Sequence, residues 1–106
     1  MRILVDECLD WRLCRVVTEH SCVSVQRMGW QGLGNGVLLK KAEAEFDVFL
    51  TGDRNLTFQQ DLHRFNIAVV VLHAPSTQLS DTQPLMPKVL ELLATVRAGE
   101  VFDVYP

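Results

Sequence analysis

Residues Ile67 to Leu72 read IAVVVL, an apolar run with no polar residue in it. The run is too short for a typical helix and lacks the alternation of a half-buried strand. A strand with no polar face must be covered on both sides, as in a parallel sheet between two helical layers. The sequence predicts five short strands: Arg2 to Val5, Cys22 to Val25, Val48 to Thr51, Ala68 to Leu72 and Val101 to Val104. Four of the five are dominated by Val, Ile, Leu or Phe and do not alternate cleanly.

Helical patterns separate these strands. Leu9 to Thr18 places Leu9, Leu13, Val16 and Val17 on one side. Val37 to Ala44 runs from apolar to charged, and Phe58 to Arg64 has room for one or two turns. The last helix is predicted from a capping box, Ser80 with Gln83, with Pro84 and Pro87 near its start and Gly99 at its end. Its buried stripe is Leu85, Met86, Val89, Leu90, Leu93 and Val96. Strands alternating with helices over 106 residues predict one α/β domain of three layers with a mostly parallel five-stranded sheet. Ligand sites in such sheets form beyond the carboxyl ends of the strands.

Acids stand at two of those ends. RILVDE places Asp6 and Glu7 after the first strand, and VFLTGD places Asp53 after the third. If those strands are neighbours, the carboxylates converge. They can then hold Mg²⁺ or Mn²⁺, share a proton as acid and base, or serve as helix N-caps. Glu7 adds a carboxylate that capping does not require. Asn35 and Asn55 add neutral oxygens near the same crevice, with Gly34 and Gly36 allowing that loop to approach.

Other motifs are weaker. GWQGLGNG has neither the third glycine of a dinucleotide loop, since position 39 is Leu39, nor a GxxxxGK[ST] motif. It reads as a flexible loop that carries Trp30 and Asn35, with Trp30 either stacking on a base or packing over the sheet edge. Arg54, Asn55, Gln59, Gln60, His63 and Arg64 suit phosphate and base-edge contacts, and equally describe a solvated helix face. Arg12, Arg15 and Arg27 would extend a local basic patch. His20, His63 and His73 lack metal-ligand spacing and are expected on the surface or in loops.

The net charge of −3 excludes bulk attraction to a polyanion, so any nucleic-acid contact must be local. Cys8, Cys14 and Cys22 form neither a CxxC pair nor an even set, which predicts small buried hydrophobes in a reducing cytoplasm. No apolar run approaches the ~20 residues needed to cross a bilayer, so a soluble protein without a membrane partner is expected.

Four stretches carry a family resemblance: MRILVDE, LGNGVLLKKAE, FDVFLTGDRNLTFQQDL and IAVVVLHAPS. Together they resemble short prokaryotic PIN-like proteins of uncharacterised function, over nearly the whole chain. The resemblance implies a Rossmann-like PIN fold, with acids at the strand ends that bind Mg²⁺ or Mn²⁺ for RNA cleavage. It implies RNA as substrate and an antitoxin protein as partner, because many such domains are the toxin of a toxin–antitoxin pair. Asp6 matches the first acid of the fold and Asp53 the later one. Many PIN nucleases carry further acids near positions 35 and 55. Members of this closer family often have Asn there, with a Gln pair matched by Gln59 and Gln60. The amides leave the metal site two charges poorer, and Glu43 is a substitute only if its helix turns inward.

Three functional readings follow. The first is a metal-dependent ribonuclease that uses Asp6 and Asp53, with Glu7 in support. Asn35, Arg54, Asn55, Gln59 and Gln60 would then contact the substrate. The second is a weak or inactive PIN-like module that binds a partner protein or nucleic acid. The third, a phospho-accepting receiver domain, wants a Lys after the last strand, and VFDVYP has none. Phe102, Val104 and Tyr105 would form an apolar edge for a homodimer or cover the domain's own sheet.

Overall fold

The structure, a computed structural model, describes all residues from 1 to 106. Its five strands are β1 (Arg2–Val5), β2 (Ser21–Ser24), β3 (Val48–Thr51), β4 (Ala68–Leu72) and β5 (Val101–Val104). They form one sheet in the order β2-β1-β3-β4-β5, and every pairing is parallel. The expected three-layer α/β domain is therefore observed. β2 lies one residue earlier than predicted, because Val25 begins a short helix, α1 (Val25–Met28). Ser24 caps it, its side chain accepting from the Arg27 N–H, and Gly29 ends it at φ 76°.

Two apolar layers sandwich the sheet. Ile3, Val5, Val48, Leu50, Val70 and Leu72 pack with Leu13, Val17, Leu85, Met86 and Val89. Leu4, Phe49, Val69 and Val71 point the other way, toward Leu38, Leu39, Ala42, Leu56 and Leu62. β4 is buried at every residue, which explains its unbroken apolar sequence.

The helices differ more from expectation than the strands do. Instead of an α-helix over Leu9–Thr18 there is a 3-10 helix over Trp11–Val16, capped by the Asp10 side chain. The second helix, α2 (Asn35–Glu45), is longer than predicted and takes Asn35 out of the loop and into its first turn. Phe58–Arg64 is divided between α3 (Leu56–Gln59) and a 3-10 turn, Leu62–Arg64.

The last helical stretch breaks into α4 (Leu79–Thr82), a 3-10 turn Gln83–Leu85, and α5 (Met86–Leu92). Pro84 and Pro87 each stand at the start of a new segment, where a missing N–H is tolerated. The expected Ser80–Gln83 capping box is absent. Ser80 lies within α4, and Ser76 takes the role, accepting from the Gln78 N–H at 3.1 Å and donating to Asp81 at 2.5 Å. Gly99 does not end the helix but turns the chain at φ 84° before β5. Leu85, Met86, Val89 and Leu93 are buried as predicted, while Leu90 and Val96 are only partly covered.

The cysteines are not interior residues. Cys8 is exposed as a residue although its thiol is tucked against Asp6 and Thr51, and Cys14 and Cys22 are half-buried. Phe102 and Val104 serve the domain's own sheet. Val104 belongs to the core, Phe102 packs against it, and only Tyr105 stands out. No helix is long and apolar enough to cross a membrane.

Candidate functional site at the ends of β1 and β3

In this strand order the chain crosses from one side of β1 to the other, and the crevice between β1 and β3 is the switch point where α/β sheets place ligands. Register does the rest. Val5 pairs with Leu50, and the Asp6 N–H continues the ladder by donating to the Leu50 carbonyl at 2.9 Å. Asp6 therefore stands beside Thr51, and both side chains follow Leu4 and Phe49 onto the face covered by α2 and α3.

Thr51 is the hub of the site. It is 0% exposed. Its hydroxyl donates to Asp6 Oδ2 at 2.7 Å and accepts from the Asp53 N–H at 3.0 Å. A single hydroxyl thus joins the acid after β1 to the acid after β3. Asp6 Oδ1 accepts from the Glu7 N–H at 2.8 Å, and the Cys8 thiol approaches Oδ2 at 3.5 Å.

The Asp6 side chain is buried, with the residue 7% exposed. Burial raises its pKa, and the hydrogen bonds from Thr51 and the Glu7 N–H offset only part of that. No Lys or Arg is paired with it. Nor is it a helix cap, because Asp10 caps the 3-10 helix that follows, accepting from the Arg12 N–H at 2.9 Å. Next to it, Cys8 is pushed up to about 11, first by burial and then by the charge of Asp6, so it is a protonated thiol rather than a nucleophile.

The other predicted residues divide. Asp53 Oδ1 accepts from the Asn55 N–H at 2.9 Å, an Asx turn that leads into α3, and Oδ2 makes no hydrogen bond within the chain. Glu7 is held by the loop, its Oε1 accepting from the Gly32 N–H at 3.0 Å, which ties the glycine-rich loop to the end of β1. Arg54 donates to the Ala74 carbonyl beyond β4. Asn35 Nδ2 donates to Gln59 Oε1 at 3.1 Å. Gln60 lies over Gly36, where an added Cβ would meet its Oε1 at 3.3 Å. The amides thus join α2 to α3.

Several expectations fail here. Glu43 faces away from the site, accepting from the Asn66 N–H at 3.0 Å and pairing with Lys40. Trp30 packs edge-on against Phe46, with ring centroids 6.1 Å apart, as the sheet-edge reading held. Arg12 is spent on Asp10, and Arg15 lies over the Trp11 ring, 4.8 Å from its centroid. No three His, Cys, Asp or Glu side chains cluster closely enough to hold a metal ion between them.

A second polar group was not expected. His73 Nε2 is 2.7 Å from Asp103 Oδ1, and its ring stacks on Tyr105 with centroids 4.4 Å apart. Its Nδ1 makes no hydrogen bond and reaches solvent. Val71 pairs with Asp103, so alternation puts Asp103 and His73 on the same sheet face as Asp6 and Thr51. β4 lies beside β3, a strand spacing of ~4.8 Å away. The carboxyl edge of this face therefore carries Asp6, Thr51 and then the His73–Asp103 pair. Comparison with models of known families, with curated proteins and with solved structures gives no match for this chain.

Proposed function

We propose that this chain is a PIN-like ribonuclease dependent on Mg²⁺ or Mn²⁺, acting at the crevice between β1 and β3. One observation carries the reading. Asp6 is a buried carboxylate with a raised pKa, no cationic partner and no capping duty, and the Thr51 hydroxyl that it holds also accepts from the backbone N–H of Asp53. An ionisable group kept in such a place costs stability and marks a working site.

The donors fit a hard cation. Asp53 Oδ2 is free, and Asp6 Oδ1 accepts only one hydrogen bond. Mg²⁺ is commonly held by one or two carboxylates together with waters and substrate phosphate. Asp6 and Asp53 would hold the ion, which supplies Lewis-acid stabilisation of charge at the scissile phosphate. Thr51 fixes the Asp6 carboxylate and the backbone of Asp53. Glu7 fixes the loop over the crevice, in place of the ligand role expected for it. Asn55, Gln59 and the exposed remainder of the Arg54 guanidinium would meet the RNA.

The test is cleavage of RNA with Mn²⁺ by the wild type, Asp6→Asn and Asp53→Asn. We expect each variant to lose activity by about a hundredfold or more, since even outer partners of a metal site cost about 10- to 100-fold in affinity or activity. Equal cleavage by all three proteins would falsify the assignment.

A second reading, a PIN-like binding module without catalysis, draws on the missing third carboxylate and on the Asn35–Gln59 link. An antitoxin or other partner would then cover the α2–α3 edge of the crevice. Calorimetry that finds no heat with millimolar Mg²⁺ or Mn²⁺ decides for this reading. A receiver domain has less support, because the end of β5 offers Asp103 and Tyr105 where phosphoryl chemistry wants a lysine.

A further inference from the structure

A second reactive group lies at the opposite edge of the sheet, on the edge strand β2. Cys14, in the 3-10 helix Trp11–Val16, and Cys22, in β2, bring their sulfurs within 2.6 Å of each other. A disulfide bond is ~2.05 Å long, so only a small further approach separates these thiols from bonding. Both residues are half-buried and both line a cleft of about 570 Å³ with Trp11, Ser24, Gln26 and Arg27. Cys8, the third cysteine, is held at the end of β1 by Asp6 and Thr51 and takes no part.

We infer that Cys14 and Cys22 form a dithiol–disulfide couple that reacts with small disulfides entering the adjacent cleft. The chemistry balances as thiol–disulfide exchange. One of the two thiolates attacks one sulfur of a small disulfide RSSR, which forms a mixed disulfide and releases one RS⁻. The other thiolate then attacks the protein sulfur of that mixed disulfide, forms the Cys14–Cys22 bond and expels the second RS⁻. Two protein thiols lose two electrons and two protons, and one RSSR becomes two RSH.

Either thiol can open the exchange, because Cys14 and Cys22 line the same cleft. Arg27 on the cleft wall favours an anionic disulfide reagent. The bond would pin the Trp11–Val16 helix to the edge strand. The inference is independent of the ribonuclease reading.

The experiment equilibrates the reduced full chain with oxidised glutathione and then counts free thiols after denaturation. The count should fall from the three cysteines of the chain to one, with a mass lower by two hydrogens and a linked peptide pair containing Cys14 and Cys22. Cys22→Ser and Cys14→Ser should each stop at a glutathione adduct on the remaining cysteine of the pair, with circular dichroism checking that both variants are folded. Cys8→Ser should still lose two thiols. Three thiols remaining under conditions that oxidise dithiothreitol would overturn the inference, as would a link through Cys8 or between chains.

Discussion

Asp6 and Thr51 can be told apart by substitution, because one costs stability and the other supplies it. Removing the buried charge while keeping its shape, as in Asp6→Asn, should raise stability by roughly 1 kcal/mol, the common size of a stability–function trade-off. The amide can still accept from the Glu7 N–H and meet the Thr51 hydroxyl. Urea denaturation checks this, and a variant less stable than wild type would mark Asp6 as structural. Thr51→Val has the opposite sign. It leaves the Asp6 carboxylate and the Asp53 N–H without their shared partner, and should cost about 1.5–3 kcal/mol, as expected for a hydrogen bond to a charged group. Asp6 and Asp53 were legible in the sequence, since an acid directly after an apolar strand stands out. Thr51 was not, because a Thr ending a strand is ordinary until register sets it beside Asp6. The His73–Asp103 and Cys14–Cys22 pairs were hidden for the same reason. Their partners lie 30 and 8 residues apart, and only the fold brings them together.

Strands were easier to read than helices. The inner strands β1, β3 and β4 are buried on both faces, so composition alone marks them, and the limits of all five strands agree with expectation within one residue at β2 and fully elsewhere. The helices are short and depend on local detail. A periodic apolar stripe does not distinguish a 3-10 helix from an α-helix over Trp11–Val16, and Pro84 and Pro87 restart a helix without turning its buried face outward. The capping box failed because Ser76, four residues before Ser80, reaches the N-terminal turn from outside it. The turn after β3 offers a test at this scale. Gly52 is not in a left-handed conformation, yet a Cβ there would lie 3.0 Å from Thr77 Cγ2 and 3.1 Å from Leu9 Cδ2. The segments that follow β1, β3 and β4 close around it. Gly52→Ala should therefore destabilise by about 1–3 kcal/mol, the usual cost of overpacking. It should also disturb the position of Asp53. A Tm equal to wild type would show that these segments yield freely.

For the whole molecule, the question is whether a domain of net charge −3 uses its acids to attract a cation. Its surface ion pairs are few, and Asp6 and Asp53 are in none of them. An ion that binds only the folded state stabilises the entire domain by mass action, whatever the chemistry it supports. At a concentration ten times the Kd the gain is about 1.4 kcal/mol. For a domain of this size each kcal/mol shifts Tm by roughly 4–8 °C, so saturating Mn²⁺ should raise the wild-type Tm by about 6–11 °C. Asp6→Asn and Asp53→Asn should lose the shift, although Asp6→Asn starts from a higher Tm without metal. Asn35→Asp should keep it, because the Asn35 side chain is engaged with Gln59 rather than with either acid. Thermal melts with and without Mn²⁺, at ionic strength matched with KCl, separate this from general screening. A shift of equal size in all four proteins would place the bound ion elsewhere and leave the crevice to a partner rather than to a metal.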